Sequence, residues 1–375
     1  MLPVPLYSVT DIVILRSLTN LHVGLGRAAE IADLPVQKDE YGFPMVYGSS
    51  VKGSMKSLFW RMADESKELS EMISRAIFGP EPGEYGAGET FEAAVAVSDF
   101  YLLTMPVRSL KGVYTFITSP ILLRRLLLAL DFVEKTSNEH LNQDLRNSLE
   151  ELSKKDIKID EALGITQDLN KVKIEEVNNR IILCEEFMLE PSEPEALKNH
   201  IKILKQAIGL KGSDPLLVVN DDVARELVDR SLIRYTRVRL SRGTKTVERG
   251  ALWTEEYVPQ RTLFFGMFLY KRPPLSGRFI KECLGKDLES YEKDYLKCLN
   301  KLNLINEKEQ DELSKLFNDK LREFDKQLAE KVREKVWATL AGGQQDLSGY
   351  LILGGKESIG KGIVRLEVLG CGGKQ

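Results

Sequence analysis

Strand-forming segments stand at both ends of this chain, and the closing ones flank a glycine-rich loop. Ser8–Leu15 alternates and is rich in Ile and Val, the signature of a β-strand. Tyr350–Leu353 and Ile363–Leu369 read as strands around the loop Gly354-Gly355-Lys356-Glu357-Ser358-Ile359-Gly360-Lys361-Gly362. We expect the first and last strands to be neighbours in one sheet. Between them, strand patterns recur at Ala93–Leu103, Val113–Ile117, Arg180–Leu183, Pro215–Val219 and Ser231–Leu240. Val51, Met55, Leu58 and Met62 recur at helical spacing, and another helix starts near Pro120. Strands interspersed with helices in this way predict an α+β fold around an antiparallel sheet. Residues 134–175 are dense in charge and poor in aromatics and read as a solvated insertion, whereas 281–335 is helical and charge-laced. No short-period repeat of the solenoid kind is present.

With 375 residues and 43% hydrophobic content, the chain can bury a large core in one domain or two. Its formal net charge is -3, so any surface for a polyanion must be a local basic patch offset by acidic surface elsewhere. Cys184, Cys283, Cys298 and Cys371 lie too far apart in sequence for a zinc motif or a disulfide framework and read as thiols in a reducing cytoplasm. The N-terminus lacks the basic segment of a secretory signal, and the longest apolar run, Ile121–Leu130, is short and interrupted by Arg124 and Arg125. A cytoplasmic protein without a membrane partner is expected.

Three constellations suggest contact with phosphates. In the C-terminal loop, Gly354, Gly355, Gly360 and Gly362 permit positive φ and close approach of the backbone to a ligand, while Lys356 and Lys361 supply charge. The loop is not a P-loop, because Gly360-Lys361 is followed by Gly362 rather than Ser or Thr. An ordinary hairpin loop would look similar. In the second constellation, Gly48-Ser49-Ser50 leads into the helix bearing Lys52, Lys56 and Arg61. The free amides and dipole of a helix start favour anions, with Ser49 or Ser50 as N-cap, although a capped helix with a solvated basic face shares the pattern. The third is Arg234–Arg249, with six basic side chains against one acid, including Arg237, Arg239, Arg242 and Lys245. Its alternation around Ser241-Arg242-Gly243 suggests a two-stranded arm, and Ala251-Leu252-Trp253 adds groups able to stack on bases.

Chemistry is harder to read. There is no HExxH motif and there are only three histidines; His140 and His200 lie in charged stretches and read as idle. His22 follows the first strand, and the same loop carries Asp33. A loop carboxylate beside phosphate-binding groups could hold a divalent metal or orient a 2′-hydroxyl for attack, although such residues are commonly turn formers.

Taken together, four segments in this order resemble the RAMP superfamily of CRISPR proteins, in particular the repeated backbone subunit of the type III-B, or Cmr, effector complex. They are LHVGLGRAAEIADLPVQKDEYGFPMVYGSSVKGSMK, SDFYLLTMPVRSLKGVYTFITSP, TKTVERGALWTEEYVP and LILGGKESIGKGIV. The resemblance implies a single RAMP domain over 1–375. Its ferredoxin-like, RRM-type palm would be built from the N- and C-terminal strands, with helical insertions (fingers) and a β-hairpin thumb at about 234–257. It implies guide (CRISPR) RNA held by Ser49, Ser50, Lys52 and the 354–362 loop, stacking with further copies and with other subunits, and a thumb that interrupts the guide–target duplex. It further implies cleavage of complementary target RNA opposite each thumb by Asp33 with a divalent metal, Mg or Mn. His22, Glu255 and Tyr257 match positions near that cleavage point. The insertions at 134–175 and 281–335 have no counterpart in the resemblance. A scaffold that binds guide RNA without cutting, a guide-precursor-processing endoribonuclease and a nucleotide-binding enzyme built on the glycine loop remain as alternatives.

Overall fold

The computed structural model describes residues 7–26, 32–61, 66–86, 89–137, 142–240, 243, 247–343 and 346–370. Arg242, Lys245, Met62 and His140 lie outside these residues. The opening strand, Val9–Ser17, runs antiparallel to Leu263–Tyr270 on one side and to the closing strand Ile363–Val368 on the other. The expected adjacency of first and last strands is therefore present, with Ser348–Ile352 at the outer edge beside the closing strand.

Period-two alternation along the opening strand divides its side chains between two cores. Val9, Val13 and Leu15 enter one cluster, and Ile12 and Ile14 the other. Phe264 and Phe268 oppose Leu263 and Phe265 in the same way. Both faces of the sheet are thus covered, so the opening strand is buried on both sides and contains the continuous apolar run Ile12–Leu15 in place of simple alternation. One face carries helices Gly48–Arg61, Lys67–Phe78 and Leu321–Leu340, through Met55, Phe59, Met72, Phe324 and Trp337. The other carries Pro120–Ser137, Gln143–Ser153 and Glu195–Ala207, through Leu126, Leu130, Leu149 and Ile201. Each such side chain contributes about 1.5–3 kcal/mol when buried.

The sheet closes on itself beyond Leu263–Tyr270. Phe100–Ser109, Val113–Thr118, Leu216–Val219, Glu161–Leu163, Phe187–Ser192 and Arg180–Leu183 follow one another, and Ser109 pairs with Leu183 to return to the first of them. The result is a mixed α+β fold with a barrel-like core, in which some neighbours are parallel rather than antiparallel.

The tract 134–175 departs from its sequence expectation. It is folded into the second core by Leu145, Leu149, Leu152, Leu163 and Ile165, and Asp168 is buried with Lys205 as its partner (2.5 Å). Charge density concealed a buried stripe at helical spacing. In the helical C-terminal tract, Asp11 of the opening strand accepts bonds from Arg333 Nε (2.8 and 2.9 Å) and Trp337 Nε1 (2.8 Å). A buried carboxylate so paired fixes that helix on the sheet. Among the described residues no helix is long and apolar enough to cross a membrane.

Candidate functional site

Ile233–Leu240 and Val247–Tyr257 pair antiparallel as the arm expected from alternation. Three segments distant in sequence converge on the base of this hairpin, at 253–257. The first is the loop after the opening strand. Leu34 N–H donates to Thr254 O (3.0 Å) and Glu256 N–H to Leu34 O (3.0 Å), so the loop is fastened to the hairpin edge by one parallel β-bridge. The Glu256 carboxylate also accepts from Val36 N–H (3.3 Å) and from Arg234 Nε (3.1 Å). Asp33 stands exposed at this seam, where its Oδ2 accepts from both the N–H (2.7 Å) and the hydroxyl (2.8 Å) of Thr254.

The second is His22. Its ring is buried, with Nδ1 2.7 Å from the carbonyl of Glu256, so Nδ1 carries the proton and donates. Tyr257 packs on the ring at 5.3 Å, and a Cβ at position 24 would lie 2.8 Å from Nε2, so Gly24 leaves the ring its room.

The glycine loop is the third. Gly355 N–H donates to His22 O (3.2 Å), and a Cβ at Gly354 would come within 2.1 Å of that same oxygen. Gly354, Lys356, Gly360 and Gly362 all have φ between 71° and 81°, so three of the four glycines serve backbone conformation as anticipated, and Gly355 does not. Lys356 is the one non-glycine among them.

Alternation places Trp253, Glu255 and Tyr257 on one face of the hairpin, with Tyr235 and Arg237 opposite Glu255 and Trp253. Glu255 is 1% exposed and is surrounded by donors. Lys356 Nζ (2.6 Å) and Trp253 Nε1 (2.8 Å) reach Oε1, while Arg237 Nε (3.3 Å) and the Tyr257 hydroxyl reach Oε2. Burial alone would raise its pKa, but the bonds from Lys356, Tyr257 and Trp253 prevail and lower it to about 2. Burial, then the bond to Glu255, pushes the Tyr257 hydroxyl up. Glu255 and Tyr257, both expected near a cleavage point, are therefore enclosed within the protein.

Several expected phosphate ligands have protein partners. Lys356 is bound to Glu255, Arg237 to Glu255, and Lys56 to Glu81 (2.6 Å) and to Gly79 O (3.3 Å). Trp253 is half-buried with its N–H engaged, whereas Leu252 and Val238, opposite each other in the strand pair, are exposed apolar groups of the arm. Arg239 is exposed. The basic helix begins at Gly48, whose N–H donates to Asp99 Oδ1 (2.7 Å); Ser49 and Ser50 lie inside the first turn and do not cap it. Gly48 is required by packing, since a Cβ there would lie 2.3 Å from Val97 O. Lys52 makes no ion pair among the described residues. Burial, then the like charges of Lys56 and Lys271, holds its ammonium below the usual lysine range.

No group of three or more His, Cys, Asp or Glu side chains with metal-binding geometry occurs among the described residues. Among the described residues, Asp33 presents an exposed carboxylate at the hairpin base, and its Oδ2 accepts two hydrogen bonds from Thr254. That donor set fits a hydrated Mg2+ or Mn2+ completed by phosphate oxygens, not a preformed all-protein centre.

Sequence reading missed Thr254, Glu256, Tyr235 and Asp99. The i, i+2, i+4 spacing of Trp253, Glu255 and Tyr257 could have revealed their common face. Nothing local marks Thr254, whose partner lies 221 positions away.

The fold and this site define an α+β protein in which a cationic hairpin and a glycine loop frame one exposed carboxylate. The chain belongs to the RAMP superfamily, whose model matches residues 14–365, and within it to the group of Cmr4 subunits. It is 33% identical over 281 residues to the CRISPR system Cmr endoribonuclease Cmr4 of Pyrococcus furiosus, covering 72% of this chain and 86% of that protein. Identity to the CMR subunit Cmr4 of Saccharolobus solfataricus is 30% over 266 residues, covering 68% and 82%. Among solved structures, the type III-B Cmr-beta complex bound to cognate target RNA contains a chain similar at a TM-score of 0.63 and 26% identity, with 97% of this chain and 98% of that one covered. An oligomeric Cmr4 crystal structure from Pyrococcus furiosus shares the fold at a TM-score of 0.53 and 21% identity, covering 96% and 97%.

Proposed function

We propose that this chain is a backbone subunit of a type III-B effector complex that binds guide RNA, stacks with further copies of itself and with other subunits, and cleaves the complementary target RNA. The naming of its Pyrococcus furiosus relative as an endoribonuclease and the target-RNA-bound Cmr-beta neighbour support this reading. The observation that carries the cleavage assignment is Asp33, an exposed carboxylate tied by two bonds to the base of the basic hairpin. The hairpin serves as the thumb on a ferredoxin-like palm, and the site lies where the thumb leaves it.

Sequence selection is left to base pairing between guide and target, so the subunit itself needs phosphate contacts and a wedge rather than base readout. Lys52 and Lys361 supply charge toward the guide backbone, and exposed Leu252 on the arm interrupts stacking. A nucleotide displaced there leaves A-form geometry, which frees its 2′-hydroxyl to align with the neighbouring phosphate. Asp33 orients that hydroxyl or accepts its proton. A divalent metal, held by Asp33 and phosphate oxygens, would supply charge stabilisation at the phosphate. His22, Glu255 and Tyr257 act from behind: His22 fixes the backbone of Glu256, and Glu255 with Tyr257 fixes Lys356 and Arg237.

Asp33→Asn tests the assignment. It preserves size and removes charge, so cleavage should fall by about 100-fold or more. Binding should persist, because the lost charge repels phosphate. Complementary RNA is added to the assembled complex with magnesium or manganese, beside a chelated control. Wild type should give evenly spaced products. A wild-type ladder from Asp33→Asn would move the active site elsewhere, and a bound target never cut by wild type would leave a scaffold.

A further inference from the structure

The single β-bridge between the Asp33 loop and the hairpin stops where its next bond would fall. Leu34 is bridged to Glu255 in the parallel sense, so continued pairing would send the Val36 N–H to the carbonyl of Glu256. That carbonyl is already engaged by His22 Nδ1 at 2.7 Å. The carboxylate of the same residue takes over the role, and Glu256 Oε2 accepts from Val36 N–H at 3.3 Å. One residue therefore holds His22 by its backbone and the Asp33 loop by its side chain.

Glu256 is 2% exposed, and a carboxylate so buried needs a counter-charge. Arg234, opposite it in the strand pair, supplies one by donating from Nε to Glu256 Oε1 at 3.1 Å. The same guanidinium donates through Nη2 to Asp229 Oδ2 at 3.2 Å, and Lys38 Nζ donates to Asp229 Oδ1 at 2.8 Å. Asp229 belongs to helix Asp221–Ser231. Burial would raise its carboxyl, but the bonds from Lys38 and Arg234 prevail and hold it below the usual carboxylate range. Lys38 lies two residues beyond Val36, so this chain of alternating charges starts and ends on the loop that carries Asp33. Arg234, one of the basic side chains of the arm, is thereby spent inside the protein.

We propose that Glu256 is a positioning residue for target cleavage, braced by Arg234, Asp229 and Lys38, and that it acts through Asp33. The inference rests on the assignment of cleavage to Asp33 made above. The loop is held on both sides of Leu34, at Asp33 by Thr254 and at Val36 by Glu256. Fixing the backbone that flanks a reacting carboxylate narrows the positions it can take without adding a contact to the reacting atoms. Arg234, Asp229 and Lys38 act one step further back, by keeping Glu256 ionised and aimed at Val36.

The test is single-turnover cleavage of complementary RNA by the assembled complex, with target affinity and thermal melts measured on the same variants. Glu256→Gln keeps the size and an acceptor oxygen but drops the charge that holds Arg234. At saturating target it should slow cleavage by about tenfold or more, while target affinity stays as in wild type. Arg234→Gln should act in the same direction, and Arg234→Lys should recover most of the lost rate. In an Asp33→Asn background, Glu256→Gln should leave the residual rate unchanged, because nothing remains for it to position. If the melts show Glu256→Gln to be unfolded, Lys38→Met, at the half-exposed end of the brace, carries the same comparison. Should Asp33→Asn slow cleavage while the folded brace variants cut at the wild-type rate, the brace is refuted and the Asp33 assignment stands. A further slowing by Glu256→Gln in the Asp33→Asn background also refutes it, since the residue would then act independently of Asp33. If Asp33→Asn itself cuts at the wild-type rate, both readings fall.

Discussion

Asp33 and Thr254, 221 positions apart, are joined by two hydrogen bonds to one carboxylate oxygen, from the Thr254 N–H at 2.7 Å and from its hydroxyl at 2.8 Å. Leu34, the next residue, pairs with the same strand through its backbone. The loop bearing the candidate cleaving group is therefore not an independent appendage. Asp33 and Leu34 are bonded to the hairpin base, so the placement of the hairpin sets that of the carboxylate.

Thr254→Val keeps the backbone bond and the shape of the side chain but removes the hydroxyl. A hydrogen bond to a charged group contributes about 1.5–3 kcal/mol, so single-turnover cleavage should slow by about 10- to 100-fold if the orientation of Asp33 matters to that extent. Thr254→Ser should restore most of the rate. RNA affinity, measured in parallel, should not change.

Glu255 offers a stability test with a defined sign. Its carboxyl is lowered from 4.5 to about 2 in the folded protein, so its pairing stabilises the fold fully at neutral pH and is lost as pH falls from about 4.5 towards 2. Glu255→Gln should therefore be less stable than wild type at pH 7 in urea titrations. The difference should shrink steadily below pH 4.5. A difference that is constant across this window would mean that packing, not charge, is what Glu255 supplies.

The glycine loop separates conformation from crowding. Gly354 has φ 74° and a Cβ would strike His22 O at 2.1 Å, whereas Gly360 has φ 71° with nothing within 4 Å. Gly360→Ala should cost about 1 kcal/mol for the left-handed backbone alone. Gly354→Ala should cost clearly more, since the loop must also withdraw from His22. Thermal denaturation of the two variants side by side gives the comparison.

Local patterns in the sequence carried much of the fold. Alternation in Ser8–Leu15 and in the arm, and glycines bracketing a loop between strands, have short-range causes and were readable. Closure of the sheet through Ser109 and Leu183 has none, because a single backbone pairing between distant segments leaves no periodic trace. At the site, the glycine loop stood out by composition, whereas Asp33 and His22 were singled out through the family resemblance and not by local pattern. What sequence could not reveal is which charges are already engaged. Lys356, Lys56 and Arg237 resemble Lys52 and Lys361 in composition, and only the fold brings Glu255 and Glu81 to the first three.

That difference between lysines leads to the last prediction. Lys52 is partly buried beside Lys56 and Lys271, and burial followed by these like charges already lowers its pKa. Removing it from the free protein relieves repulsion, so Lys52→Ala should leave the melting temperature unchanged or slightly raised. A phosphate bound there would reverse the electrostatics by supplying the missing counter-charge. Guide-RNA binding should therefore weaken, and its log–log salt slope should fall by about 0.7–0.9 for one lost contact. Lys356 should behave in the opposite way. It neutralises buried Glu255 at 2.6 Å, so Lys356→Ala leaves an underpaired buried carboxylate, and stability should drop by about 3–5 kcal/mol or somewhat less, given the remaining donors to Glu255. Its effect on the salt slope should be small, because its charge is already spent inside the protein. Filter-binding titrations across salt, paired with thermal melts, measure both quantities on each variant. If Lys356→Ala flattens the slope and Lys52→Ala does not, the phosphate contacts run along the glycine loop instead of the basic helix.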